Sequence, residues 1–94
     1  MSTDLSAGRC YIVHGRVQGV GFRYYVERIA CRLGLDGYVK NRFDGTVEIR
    51  AAGPASQLAK LEREIRSGPS LARVDRVEIR EASKPPGSGF RVEY

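Results

Sequence analysis

The stretch Gly15-Arg16-Val17-Gln18-Gly19-Val20-Gly21-Phe22-Arg23 constrains this 94-residue chain more than any other. It separates a β-branched run from a helical period, so the chain is committed there to a strand, a tight turn and a helix in immediate succession. Three of the seven positions from 15 to 21 are glycine, and without a Cβ the backbone turns through positive φ at little steric cost. Successive N–H groups in such a turn line a concavity that suits an anion. A helix opening beside it adds the positive end of its dipole. Arg16 and Arg23 flank the turn, and guanidinium forks match phosphate oxygens in pairs. The chemistry implied is capture of a phosphate-like group; the plain alternative is a glycine-rich turn with no ligand. No Gly-Lys-Ser/Thr follows, which excludes a P-loop. Glycines at 15, 19 and 21 do not fit G-x-G-x-x-G, which excludes a dinucleotide fingerprint.

The hydrophobic periods around this turn order the rest of the chain. Arg9 to Val17 alternates as a strand. From Phe22 to Leu33 the apolar residues Phe22, Val26, Ile29, Ala30 and Leu33 share a helical face, and Gly34 ends that helix. Gly37 to Phe43 and Thr46 to Ala51 read as strands joined by an Asp44-Gly45 turn. Pro54 suits the start of a second helix, whose stripe is Leu58, Leu61 and Ile65 and which stops at Gly68-Pro69. Val74 to Ile79 is a fourth strand, and Phe90, Val92 and Tyr94 alternate in a short last one. The order is β-α-β-β-α-β plus a short C-terminal strand. Right-handed crossovers put both helices on one face of a mainly antiparallel sheet. That is an α/β (α+β) ferredoxin-like sandwich, a fold that hosts many functions.

Composition narrows the partners. Sixteen Lys and Arg against eleven Asp and Glu give a net charge of +5, which favours anionic ligands. Cys10 and Cys31 form no C-x-x-C pair, no metal site and no disulfide framework; they read as reduced, buried thiols of a cytoplasmic protein. Residues 1–8 are small and polar, unlike a signal peptide, and read as a disordered leader to a single domain over 9–94. No apolar run approaches a membrane span.

Two motifs together resemble the acylphosphatase family. The first is the 15–23 stretch. The second is Gly37-Tyr38-Val39-Lys40-Asn41-Arg42-Phe43-Asp44-Gly45-Thr46-Val47-Glu48, with an Asn on a strand before an Asp-Gly hairpin. The Gly68-Pro69 stop agrees, and the resemblance spans about residues 9 to 94. It departs at Phe43, where the family often has Pro, and at Tyr38, where it often has Trp. The resemblance implies hydrolysis of acyl phosphates to carboxylate and inorganic phosphate. Arg23 would hold the phosphoryl group, completed by the N–H groups of Arg16, Val17, Gln18, Gly19, Val20, Gly21 and Phe22. Bottom-up, Arg23 falls in the first helical turn, where a cation opposes the dipole unless an anion sits between them.

Asn41 is the second catalytic position that the resemblance implies. A neutral amide is no general base, but it can aim a water. Acyl phosphates carry a good carboxylate leaving group, so in-line attack by that water suffices, with the substrate's phosphate taking the proton. His14, the only histidine, is set aside as a strand residue. No carboxylate pair is spaced for acid–base work, and no His/Cys cluster is spaced for a metal. The expectation is a metal- and cofactor-independent monomer, inhibited by inorganic phosphate, with no nucleic-acid or membrane partner.

Three rivals remain. An RNA-recognition module shares the element order and the basic charge, but Gly21-Phe22-Arg23-Tyr24-Tyr25-Val26 opens a helix and the third strand has no aromatics. A catalytically idle anion-binding or regulatory relative would not need both Arg23 and Asn41. A domain of a carbamoyl-transfer maturation enzyme is disfavoured by the chain's length.

Overall fold

Tyr11 and Val13, fully buried, sit at the centre of β1 (Ser6–Arg16), and the sheet is built outward from them. A computed structural model describes residues 4–94. The remaining elements are α1 (Phe22–Arg32), β2 (Asp36–Asn41), β3 (Val47–Pro54), α2 (Ala55–Ser67), β4 (Arg73–Glu81) and β5 (Phe90–Glu93). The strands lie in the order β4-β1-β3-β2-β5. All neighbours are antiparallel except β2 and β5, which run parallel with Val39 opposite Val92. α1 packs on β2 and β5, α2 on β1, β3 and β4, and the two helices touch each other. This is the expected ferredoxin-like arrangement.

The core lies between the helices and one sheet face. Phe22, Val26, Ile29 and Ala30 from α1 and Leu58, Leu61 and Ile65 from α2 meet Tyr11, Val13, Val39, Val47, Ile49 and Ala51 from the strands. The alternation in β3 sends Val47, Ile49 and Ala51 inward and leaves Glu48 and Arg50 on the open face, as period-2 patterning requires. Tyr11 keeps its hydroxyl satisfied by donating to Glu62 Oε1 at 3.1 Å, where Glu62 also takes the Arg9 guanidinium. Burial, together with the adjacent carboxylate, pushes the Tyr11 hydroxyl pKa up.

Two expectations need correction. β1 begins at Ser6 and not at Arg9: Ala7 and Gly8 pair with Gly53 and Ala52. Upstream of it, Leu5 O accepts the Ala55 N–H, and Asp4 Oδ1 accepts the Ser56 N–H at 3.0 Å. The first turn of α2 is thus capped by the segment read as leader, since Pro54 at its N-cap supplies no side-chain acceptor. A partner so distant in sequence leaves no local pattern. Residues 1–3 of that leader lie outside the described residues. Cys31 is exposed rather than buried, and Cys10 is half-buried; both are free.

Candidate active site

The turn after β1 and the end of β2 converge on one cavity. Val17 is buried, anchoring the turn to the core, and Val20 packs against it from the surface. Between and after them Gly19 and Gly21 take φ of 74° and 78°, the left-handed region that only glycine enters without strain. Gly21 is the N-cap of α1, with no side-chain cap and no acidic residue in the first turn. The N–H groups of residues 19–22 find no acceptor among the described residues. An uncapped helix start with free donors and a positive dipole end is an electrostatic receptacle for an anion.

A cavity of about 230 Å³ forms against these donors, lined by Val17, Gly19, Gly21, Phe22, Arg23, Tyr24 and Asn41. It brings together the two residues that sequence motifs marked, although they come from α1 and β2. Arg23 is half-buried. Its Nη1 donates to the Glu93 carbonyl at 3.3 Å, and its guanidinium lies over the Tyr94 ring at 4.7 Å from the centroid. Tyr94 in turn shares a 2.7 Å hydrogen bond between hydroxyls with Tyr24, which raises the Tyr94 pKa. The arginine is held from behind, leaving donors for a ligand. Asn41 is exposed at the end of β2, and its amide has no hydrogen-bond partner among the described residues.

Of the other residues expected around the phosphate, Arg16, Gln18 and Val20 do not line this cavity. Arg16 is exposed at the end of β1, paired with Arg73 across the ladder. Gln18 does something that sequence reasoning missed. Its Nε2 donates to the carbonyls of Arg42 at 2.8 Å and Thr46 at 2.9 Å, clasping the glycine turn to the β2–β3 hairpin. The hairpin closes on itself through Arg42 N to Thr46 O at 2.9 Å, and Asp44 accepts from the Thr46 N–H and hydroxyl. Those bonds hold the Asp44 carboxyl below its ordinary pKa. Nothing in residue spacing signals the Gln18 clasp or the Tyr24–Tyr94–Arg23 stack; both join segments remote in sequence.

A second, larger cavity of about 840 Å³ adjoins the first at Asn41 and is lined also by Gln18, Lys40, Arg42, Phe43, Asp44, Glu48 and Tyr94. His14 stands apart from both, with Nε2 2.5 Å from Glu78 Oε2 and 3.2 Å from Arg76. Among the described residues, no group of three or more His, Cys, Asp or Glu could hold a metal ion, and no helix is long and apolar enough to cross a membrane.

The sequence model of the acylphosphatase family matches residues 9–92. An acylphosphatase of Koribacter versatilis is 48% identical over 92 residues, 97% of this chain and 84% of that protein. The solved acylphosphatase of Bacillus subtilis superposes with a TM-score of 0.88 at 38% identity, covering 96% of this chain and all of that one. An acylphosphatase from Coxiella burnetii does so with a TM-score of 0.89 at 35% identity, covering 99% and 100%. In sequence and in fold, the chain belongs to the acylphosphatase family, the hydrolases of acyl phosphates.

Proposed function

We propose that this chain hydrolyses acyl phosphates at the cavity shared by Arg23, Asn41 and the glycine turn. Arg23 and the turn N–H groups hold the phosphoryl oxygens. A water hydrogen-bonded to the Asn41 amide attacks phosphorus in line with the acyl oxygen. The new bond joins the water oxygen to phosphorus, the bond from phosphorus to the acyl oxygen breaks, and the carboxylate leaves with that electron pair. The water proton passes to a phosphoryl oxygen, so no protein base is needed. The carrying observation is the convergence of Arg23 and Asn41 on one cavity walled by unpaired N–H groups. Preorganised donors of this kind stabilise the charge that gathers on the equatorial oxygens without reorganising.

The same reading makes inorganic phosphate a competitive inhibitor, since it fills the receptacle as product. It requires no metal in any step, and it describes a cytoplasmic monomer whose ligand is a small acyl phosphate. Hydrolysis of benzoyl phosphate tests it: turnover should persist in EDTA and be inhibited competitively by phosphate. Loss with chelator and recovery with a divalent ion would overturn the metal-free mechanism. Phosphate binding without turnover would favour the idle anion-binding reading.

A further inference from the structure

We propose that the groove between α1 and α2 binds a linear oligophosphate, at a site separate from the cavity that holds Arg23. A cavity of about 360 Å³ opens there, with Arg28 and Arg32 from α1 on one side and Lys60 and Arg63 from α2 on the other. It shares no lining residue with the cavity of Arg23 and Asn41. All four cations are exposed. None of them makes an ion pair or a side-chain hydrogen bond among the described residues; Lys60 and Asp4 attract each other only beyond that distance.

The helices themselves do not call for this charge. Arg32 complements the negative end of the α1 dipole. Arg28 lies a turn earlier, and Lys60 and Arg63 lie within α2, short of its last turn. Residues three or four apart are neighbours on a helix, with about 5–6 Å between Cβ atoms, and like charges there destabilise it. Arg28 with Arg32 and Lys60 with Arg63 are two such pairs, placed opposite each other. Glu64 is the one carboxylate in the lining, and its Oε2 accepts the Tyr25 hydroxyl at 3.0 Å. Four cations against one carboxylate make a focus of positive potential that a polyanion relieves. Three of the four are arginines, whose forks each take a pair of phosphate oxygens. One orthophosphate has oxygens for roughly two such forks. A chain of three phosphates serves all three and leaves an oxygen for Lys60. Buried Ile29 and half-buried Leu33 form an apolar floor, which strengthens charge-assisted bonds made above it.

Titration calorimetry with inorganic tripolyphosphate at low ionic strength tests this. In Arg23→Ala, which removes the guanidinium of the other site, one tripolyphosphate should still bind per chain, and orthophosphate at the same concentration should not. In the parent, the same event should persist when orthophosphate is in excess. Arg28→Gln and Arg63→Gln should each weaken it about three- to tenfold, the scale of a lost charge-assisted bond at an exposed site. Their parental turnover of benzoyl phosphate would verify that they fold. Arg66→Gln removes the same charge from α2 outside the groove and should change the affinity less than twofold. Adenosine triphosphate should bind within a few-fold of tripolyphosphate, since the phosphate chain is what the arginines read. No binding to Arg23→Ala and none to the parent in excess orthophosphate, equal weakening by Arg66→Gln, or a nucleotide that binds where tripolyphosphate does not would each overturn the proposal.

Discussion

At Arg23 the protein sets a fixed cation against the positive end of a helix, an arrangement that is unfavourable until an anion lies between them. The Glu93 carbonyl and the Tyr94 ring hold the guanidinium there without neutralising it. Arg23→Ala should therefore lower kcat by at least ~10²–10³, the cost of one preorganised donor at a developing charge. Arg23→Lys should not rescue it, since a point charge cannot reproduce the bidentate fork. Near-parental turnover in a folded Arg23→Ala would sink the assignment. In the proposed mechanism Asn41 serves chemistry and not binding. Its unpartnered amide is free to orient a water, so Asn41→Ala should lose most of its kcat while phosphate affinity, measured by titration calorimetry, stays within a few-fold. Asn41→Asp should fare no better, because its charge repels the phosphoryl group. Phosphate affinity falling in step with kcat would make Asn41 a phosphate ligand instead.

Between elements, the alignment that the proposed mechanism needs runs through one side chain. Gln18 ties the glycine turn, and through it the start of α1, to the hairpin that carries Asn41. Removing it deletes two hydrogen bonds to backbone carbonyls, each worth about 1 kcal/mol. Gln18→Ala should cost about tenfold in kcat through a misplaced water, where about 1.4 kcal/mol of barrier is a factor of ten. Phosphate affinity should change less, because the turn keeps its own N–H groups. Equal losses in kcat and affinity would show that the turn itself collapses. This contact also marks where the sequence stops being legible. Period-2 and period-3.6 patterns placed every strand and helix, and the glycine spacing located the turn, because those signals are local. The ends of elements were harder: β3 runs on to Pro54 and β4 to Glu81, past the expected Ala51 and Ile79, because ladder partners and not propensity decide where pairing ends. Asp4 capping α2, Gln18 clasping the hairpin and Tyr94 backing Arg23 each need a partner set only by the closed fold. Arg23 and Asn41 were marked by motif, yet their meeting in one cavity follows from β2 lying beside the helix start.

Across the whole molecule, ionisation defines a plateau of stability with two edges. Asp36, Asp44, Asp75 and Glu78 are all held below their ordinary pKa values, chiefly by hydrogen bonds: from Gly89, Thr46, Arg73 and His14 respectively. A depressed carboxyl contributes stability above its unfolded pKa and loses it as pH falls through the folded one. The acid edge thus opens near the ordinary value of 3.8 for the aspartates and deepens below it. As the eleven acidic side chains protonate, sixteen Lys and Arg are left unopposed, and their repulsion steepens the loss. The alkaline edge has the opposite sign. Tyr25 and Tyr38 are pushed up to about 12 by burial and by donating to Glu64 and Glu48, and Tyr11 is raised too. A raised phenol contributes stability in its neutral form, fully below the unfolded value of 10 and lost as pH rises through the folded one. Urea midpoints followed by circular dichroism should therefore be flat from about pH 5 to 9 and fall on both sides. Tyr11→Phe should soften the alkaline fall and leave the acid one in place, since Tyr11 is the tyrosine wholly inside the core. An acid edge as gentle in the parent as in a reference protein with unpaired carboxylates would contradict the first half of this account. An alkaline edge unchanged by Tyr11→Phe would contradict the second.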